Sequence, residues 1–341
     1  MIARLAVQLP FYFVVPAPPA QFSLYEMQRP GYRVRFLPPG RSELADVRAP
    51  ESIELNNAPA WTADVLVIDF IKDDFDRTLE ANDPSSGAME EAFDFWLSRA
   101  RYVTKGAAIK AELSRCPWRL QYLDDAGNEL AQETGKVRGR GALALHFSWI
   151  CLDSAIWSAI HELDADFEIP VWSMLCLDAQ AALPHVGSAV VLGAAALEVF
   201  IGQVLDQLAR GVLSKSLWDW ISDRGDHYKD PSVEEEFDVL LKEFVGHSLK
   251  EKTELWDSFL KLKSARNRFV HSGVPKAHGT VIDSSEAIRL LRDVNAIVQT
   301  VRGWLPAKHR WPEHTFDLEL KMTKALSRKD EKSTASTDAG R

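Results

Sequence analysis

Three residues within SARNRFVHSG, at 264–273, could together handle a phosphate group: Arg266, Asn267 and His271. Arginine stays charged in proteins and presents a planar fork of donors that matches two phosphate oxygens at once. Histidine gains and loses a proton near neutrality, which suits it to general acid or base work. Asn267 and His271 stand four apart, a spacing at which helical side chains meet. The amide is therefore expected to hold one imidazole nitrogen and leave the other free. Ser272-Gly273 reads as a helix end, where the helix dipole favours an imidazolium. Such a set suits metal-free cleavage of a phosphodiester.

The element that must position these residues is a helix over 252–273, KTELWDSFLKLKSARNRFVHSG. Stepping along it from Leu255 puts Phe259, Leu262, Arg266 and Phe269 within about 40° of one direction. Arg266 thus falls where the pattern asks for leucine. A buried guanidinium is costly unless it meets an anion or a full set of acceptors. The pattern predicts a buried Arg266 awaiting an anion. A competing reading pairs Arg266 with Glu198 or with helix-end carbonyls. It makes His271 a capping residue and Asn267 an ordinary helix-surface residue.

The surrounding text is helical from about Trp172. LPHVGSAVVLGAAALEVFIGQVLDQLARG (183–211) is a long apolar helix closed by Arg210 and Gly211, with small residues Gly193 to Ala196 that admit a close neighbour. DPSVEEEFDVLLKEFVG (230–246) opens on the capping signal Asp230-Pro231, with acids in the first turn. DSSEAIRLLRDVNAIVQTVRGWL (283–305) opens on an Asp cap or a Ser-x-x-Glu-like signal and stops at Gly303 and Pro306. Residues 173–312 are therefore expected to form an all-α up-and-down bundle. Residues 313–341, ending in SRKDEKSTASTDAGR, read as a polar, disordered tail.

Residues 1–172 are punctuated differently. Breaks such as LPPG (37–40), NDPSSG (82–87) and DDAGNE (124–129) separate YRVRFL (32–37), VLVIDFI (65–71), WRLQYL (118–123) and ALALHFSWI (142–150). These runs read as strands, with a hairpin turn at Asp125-Ala126-Gly127-Asn128. MEEAFDFWLSRARYVT (89–104) has helical spacing, with Phe93, Leu97 and Ala100 on one stripe. The expectation is an α+β domain.

Arg266-Asn267-Arg268-Phe269-Val270-His271 resembles the Arg-x(4–6)-His signature of HEPN domains (higher eukaryotes and prokaryotes nucleotide-binding), with a polar residue after the Arg. AAALEVFIGQVL, holding Glu198 in an apolar run, is similar to the segment these domains pack beside the motif. The resemblance covers roughly 175 to 305. It implies a metal-independent endoribonuclease, acting as a dimer through the bundle, whose two motif copies line one cleft. Many relatives of this kind are toxins or act in defence against phage. Arg266 would bind phosphate and stabilise the transition state. His271 would be the acid or base for attack by the RNA 2′-hydroxyl, leaving a cyclic phosphate, with Asn267 orienting the pair and Glu198 supporting it. The first domain would sense a trigger, an inhibitor or the RNA. The same family also holds non-catalytic modules that dimerise or bind nucleotides. A third possibility makes residues 1–172 the enzyme and the bundle its regulator. Where members regulated by nucleotidylation carry a Tyr, this chain has Gly273, which argues against an antitoxin of that type.

Composition narrows the alternatives. With 46% hydrophobic and 26% charged residues, the chain can bury a sizeable core. A net charge of −9 argues against a broad basic surface for duplex nucleic acid and leaves room for a local phosphate site. Cys116, Cys151 and Cys176 lack CxxC spacing and fit reduced cytoplasmic thiols. The histidines form no HExxH or HxH pattern, GAAALEVFIG lacks a P-loop Lys-Ser/Thr and GRG is no dinucleotide fingerprint, so neither metal nor cofactor is expected. The opening MIARLAVQLPFYFVVPAPPA loosely mimics a secretory signal. Gln8 and Pro10 break its apolar run, and a first β-strand is expected. No other window reaches the ~18 to 20 uninterrupted apolar residues of a membrane span. Trp218, Trp220 and Trp256 could stack bases but fit a core better. Arg138 and Arg140 read as a solvated loop, and Asp69, Asp73, Asp74 and Asp76 as a solvated acidic run without calcium-loop spacing.

Overall fold

The run that opens the chain becomes its central strand. In the computed structural model, which describes residues 1–16, 22–41, 52–72, 84–130, 137–138, 149–223 and 230–323, β1 (Ile2–Pro16) is the strand around which one sheet is assembled. β2 (Tyr25–Arg29) and β3 (Tyr32–Gly40) form a hairpin turned by Pro30-Gly31, with Gly31 at φ 81°. β4 (Ser52–Leu55) and β5 (Ala58–Ile71) form another, whose Asn56 and Asn57 sit at φ 53° and 61°, the left-handed pair that asparagine tolerates best after glycine. β5 pairs antiparallel with both β1 and β3.

α1 (Ser86–Thr104) follows, with Phe93, Leu97 and Ala100 buried along the expected stripe. β6 (Trp118–Leu123) adds antiparallel to β1, and Gly127 takes φ 85° in the turn after it. β7 (Val137–Arg138) pairs with β6, and β8 (Trp149–Cys151) runs parallel to β1. α2 (Ser154–Glu162) is capped by Asp153, whose carboxylate accepts from the Ile156 amide. Trp96, Trp157 and His161 pack together, with the Trp96 indole N–H donating to His161 Nε2 at 3.2 Å.

Asp69 corrects the expected solvated run. It stands opposite Arg4 on β1, is 0% exposed and accepts from Arg4 Nε and Nη2 at 2.7 and 2.9 Å. The bidentate bond is what lets a charged carboxylate be buried there. Asp73, Asp74, Asp76 and Arg140 lie outside the described residues, as does most of 142–150.

The second part is helical: α3 (Val171–Ala181), α4 (Val186–Ala209), α5 (Lys215–Ser222), α6 (Val233–Glu235), α7 (Leu241–Val245), α8 (Thr253–Ser272) and α9 (Ser284–Trp304). A π-helical stretch, Glu236–Leu240, joins α6 to α7. α4 packs against α3, α8 and α9 around a core including Leu197, Phe200, Phe259, Leu262 and Val294. It is long and apolar enough to cross a membrane by length and composition, although Glu198 and Asp206 interrupt its apolar run, and 56% of its most apolar window is buried inside the fold. The helix ends follow local chemistry. Gly273 closes α8 at φ 72°, and Asp283 caps α9 by accepting from the Glu286 amide. The cap of α6 is Ser232, in a capping box with Glu235, rather than the expected Asp230-Pro231. After α8, β9 (Lys276–Ala277) and β10 (Thr280–Val281) make a small hairpin turned by His278 and Gly279.

Finally, β11 (Leu320–Thr323) pairs antiparallel with β4, from Leu320 opposite Leu55 to Thr323 opposite Ser52. The disordered-tail expectation therefore fails for these residues, and 324–341 lie outside the described ones. The division of the chain also differs from a simple cut at 172. One compact unit comprises Met1–Leu97, Ala111–Ala165 and Thr315–Arg341; the other comprises Ser98–Lys110 and Asp166–His314. Strand pairing with β4 draws the C-terminal segment back into the first unit, and the end of α1 belongs to the helical one.

Candidate functional site

The last turns of α8 hold the residues singled out in the sequence. Phe259, Leu262 and Ala265 bury the inner face of this helix. Phe269 anchors its end: a Cβ placed on Gly187 of α4 would lie 2.0 Å from the Phe269 ring, so the two helices meet where only a glycine fits.

Arg266 does not occupy a sealed position. Its side chain is 37% exposed, with Nη2 3.5 Å from Glu198 Oε2 on α4 and Nη1 donating to Asn267 Oδ1 at 3.0 Å. The buried-guanidinium expectation is thus corrected. A long stem lets arginine cover apolar surface while its head reaches water, and Ala265, fully buried, fills the seam beside it. The ion pair with Glu198 is the one the structural reading anticipated. Half-exposed, it contributes little to stability and leaves guanidinium donors open to a ligand.

Asn267 accepts from Arg266, and among the described residues no hydrogen bond joins it to His271. The adjacent guanidinium is the stronger donor for that amide oxygen. Asn267 and His271 do share a groove, lined by Glu234, Leu260, Lys263, Ser264, Asn267, Arg268 and His271. Lys263, Asn267 and His271 follow one another at intervals of four along its wall, as one helical row. His271 is exposed at the end of that row. Lys263 is held by Glu234 of α6 at 2.7 Å, whereas Arg268 is an exposed cation at the groove.

Sequence reasoning missed Lys263 and Arg268 as groove residues, though the four-residue row was readable in the spacing. It also missed Glu236, taken as one of three acids serving the helix dipole. Burial, together with the charges of Glu198 and Asp206, pushes the Glu236 carboxyl up to about 7. Glu236 begins the π-helical stretch, and such turns, with their one-residue offset, recur at functional sites. No sequence signal marked that turn. The tryptophans divide: Trp218 donates to Asp206 and Trp256 packs on Phe259, as core readings require, while Trp220 is exposed.

No protein-family model matches the chain, and no curated protein or solved structure is similar enough to match it.

Proposed function

We propose that this chain is a metal-independent endoribonuclease of HEPN type, with the α8 groove as its RNA site and a toxin or phage-defence role. The observation that carries the reading is one partly exposed helical row and its flank. There Lys263, Arg268 and His271 line a single groove beside a half-exposed Arg266. Cations at that spacing hold a phosphodiester, and the imidazole sits where a proton can be exchanged with it. In the reaction the ribose 2′-oxygen attacks phosphorus, the bond to the 5′-oxygen breaks and a 2′,3′-cyclic phosphate remains. One imidazole takes the 2′-hydroxyl proton and the second copy in a homodimer protonates the leaving oxygen. Arg266 and Arg268 stabilise the charge that develops on the phosphate. The first unit then serves as the sensor of trigger, inhibitor or RNA.

His271→Ala and Arg266→Ala are expected to lower RNA cleavage by about a hundredfold or more while leaving Tm unchanged. Cleavage of a labelled RNA, with end-group analysis for the cyclic phosphate, reads the outcome. Equal cleavage by wild type and variants rejects the assignment. The Arg266–Glu198 pair favours one other reading, a non-catalytic HEPN-like module for dimerisation or nucleotide binding. Under it wild-type protein leaves RNA intact.

A further inference from the structure

Away from the α8 groove, the helical unit holds a partly open cavity of about 210 Å³ lined by the end of α1, by α3, by α9 and by residues 311–313. Much of its wall is apolar: Tyr102, Trp172, Leu177, Val298 and Trp311. Two polar groups at its wall could meet a ligand. Trp172 is 7% exposed, and its indole N–H has no hydrogen-bond partner among the described residues. Native interiors satisfy nearly all such donors. Lys105 lines the same cavity, with its ammonium 4.3 Å from the centroid of the Tyr102 ring. The residue as a whole is solvent-exposed, and among the described residues its ammonium has no ion pair or hydrogen bond; partial desolvation pushes its pKa down against the attraction of Glu313. The Lys105 backbone is held at φ 53°, a left-handed conformation that is costly for a lysine.

The remaining charges in the wall cancel. Arg302 is paired with Glu313, and burial raises the Cys176 thiol to about 12, so it stays neutral. What remains is one uncompensated cation, one unpartnered donor and an apolar floor. A phosphate monoester carries about −1.5 to −2 charges near neutrality and would be left partly unmatched. A monoanion balances the wall. The volume falls below the roughly 300–1,000 Å³ of pockets for drug-sized ligands, which points to a small metabolite.

We propose that this cavity binds a small organic carboxylate, its oxygens meeting Lys105 Nζ and the Trp172 indole N–H and its apolar body packed among Tyr102, Leu177, Val298 and Trp311. The assignment stands whether or not the α8 groove cleaves RNA.

Benzoate, phenylacetate and hexanoate serve as probes, with benzyl alcohol as the uncharged counterpart and inorganic phosphate as the general-anion control. Their effect on the Trp172 indole N–H resonance is followed in isotope-labelled full-length protein, the signal being assigned by its loss in Trp172→Phe. At least one carboxylate is expected to shift that signal saturably at millimolar concentration, with neither control doing so. Lys105→Gln is expected to weaken binding about tenfold or more, as loss of a charge-assisted contact implies. It should leave the Tm of the ligand-free protein close to that of wild type, because Lys105 is solvent-exposed. Trp172→Phe, which keeps the ring but lacks the donor, should reduce the carboxylate-induced rise in Tm. Three results overturn the proposal: no carboxylate moves the signal, a control moves it equally, or Lys105→Gln binds as wild type does.

Discussion

Glu236 shows how a residue's surroundings can rewrite its chemistry. Its carboxyl is raised from 4.5 to about 7 by burial first and by Glu198 and Asp206 after that. A raised acid binds more protons in the folded than in the unfolded state across that interval, so its contribution favours folding at low pH. The benefit is fully present below the unfolded value and is lost as pH rises through about 7. Glu236→Gln should therefore melt higher than wild type at about pH 8, by roughly 1–2 kcal/mol after allowance for solvent screening. The two proteins should converge towards about pH 5. Thermal melts at both pH values check this, and a constant gap would place the effect elsewhere. Glu198 links this carboxyl to the candidate site, since the same side chain faces Arg266. Loss of the Glu236 proton thus adds a negative charge close to the carboxylate that pairs with the arginine.

At the level of elements, α4 carries two kinds of glycine. Gly187 faces the Phe269 ring at a distance no Cβ can share, and a Cβ on Gly193 would stand 2.8 Å from Leu291 Cδ2 on α9. Gly202, on the same helix, has nothing within 4 Å of where its Cβ would be. Helix propensity alone predicts that alanine stabilises all three, by up to about 1 kcal/mol each. Packing reverses the sign where space is missing, because overfilling a core costs about 1–3 kcal/mol. Gly202→Ala should raise stability to urea. Gly187→Ala should lower it and, under the proposed function, disturb RNA cleavage as well, since Phe269 seats the end of α8. Similar stabilisation by both substitutions would contradict the close approach. Small residues on α4 were visible in the sequence as a place for a neighbour. That the neighbours are Phe269 of α8 and Leu291 of α9 depends on how three helices assemble.

For the whole molecule, the chain is interleaved where a sequence cut at 172 looked natural. The helical unit includes Ser98–Lys110: Arg101 Nη2 lies 2.8 Å from Asp178 Oδ1, and the Tyr102 hydroxyl donates to the Pro312 carbonyl. A fragment covering 173–312 loses these contacts together with Trp172, whereas a longer one in which a flexible linker joins 98–110 to 166–314 keeps them and leaves out Ala111–Ala165 of the first unit. The longer fragment should unfold cooperatively, and the shorter should melt lower or aggregate, as followed by circular dichroism. Indistinguishable transitions would show that the end of α1 is dispensable to the bundle.

Local rules carried much of the fold. Alternating runs became β1, β3, β5 and β6, and helical stripes became α1, α4, α8 and α9. Gly211, Gly273 and Asp283 marked helix ends because such ends are decided by a few neighbouring residues. Spacing along one helix likewise placed Asn267 and His271 on a shared groove. The tertiary structure decided what depends on residues distant in the chain. It joined β11 to β4, buried Asp69 against Arg4, brought Glu198 to Arg266 and Glu236, and formed a cavity lined by Lys105 and Trp172. The physical reason is range: dihedral preferences and side-chain spacing act over a few residues. Burial, charge pairing and cavity shape belong to surfaces that exist only once remote segments have met.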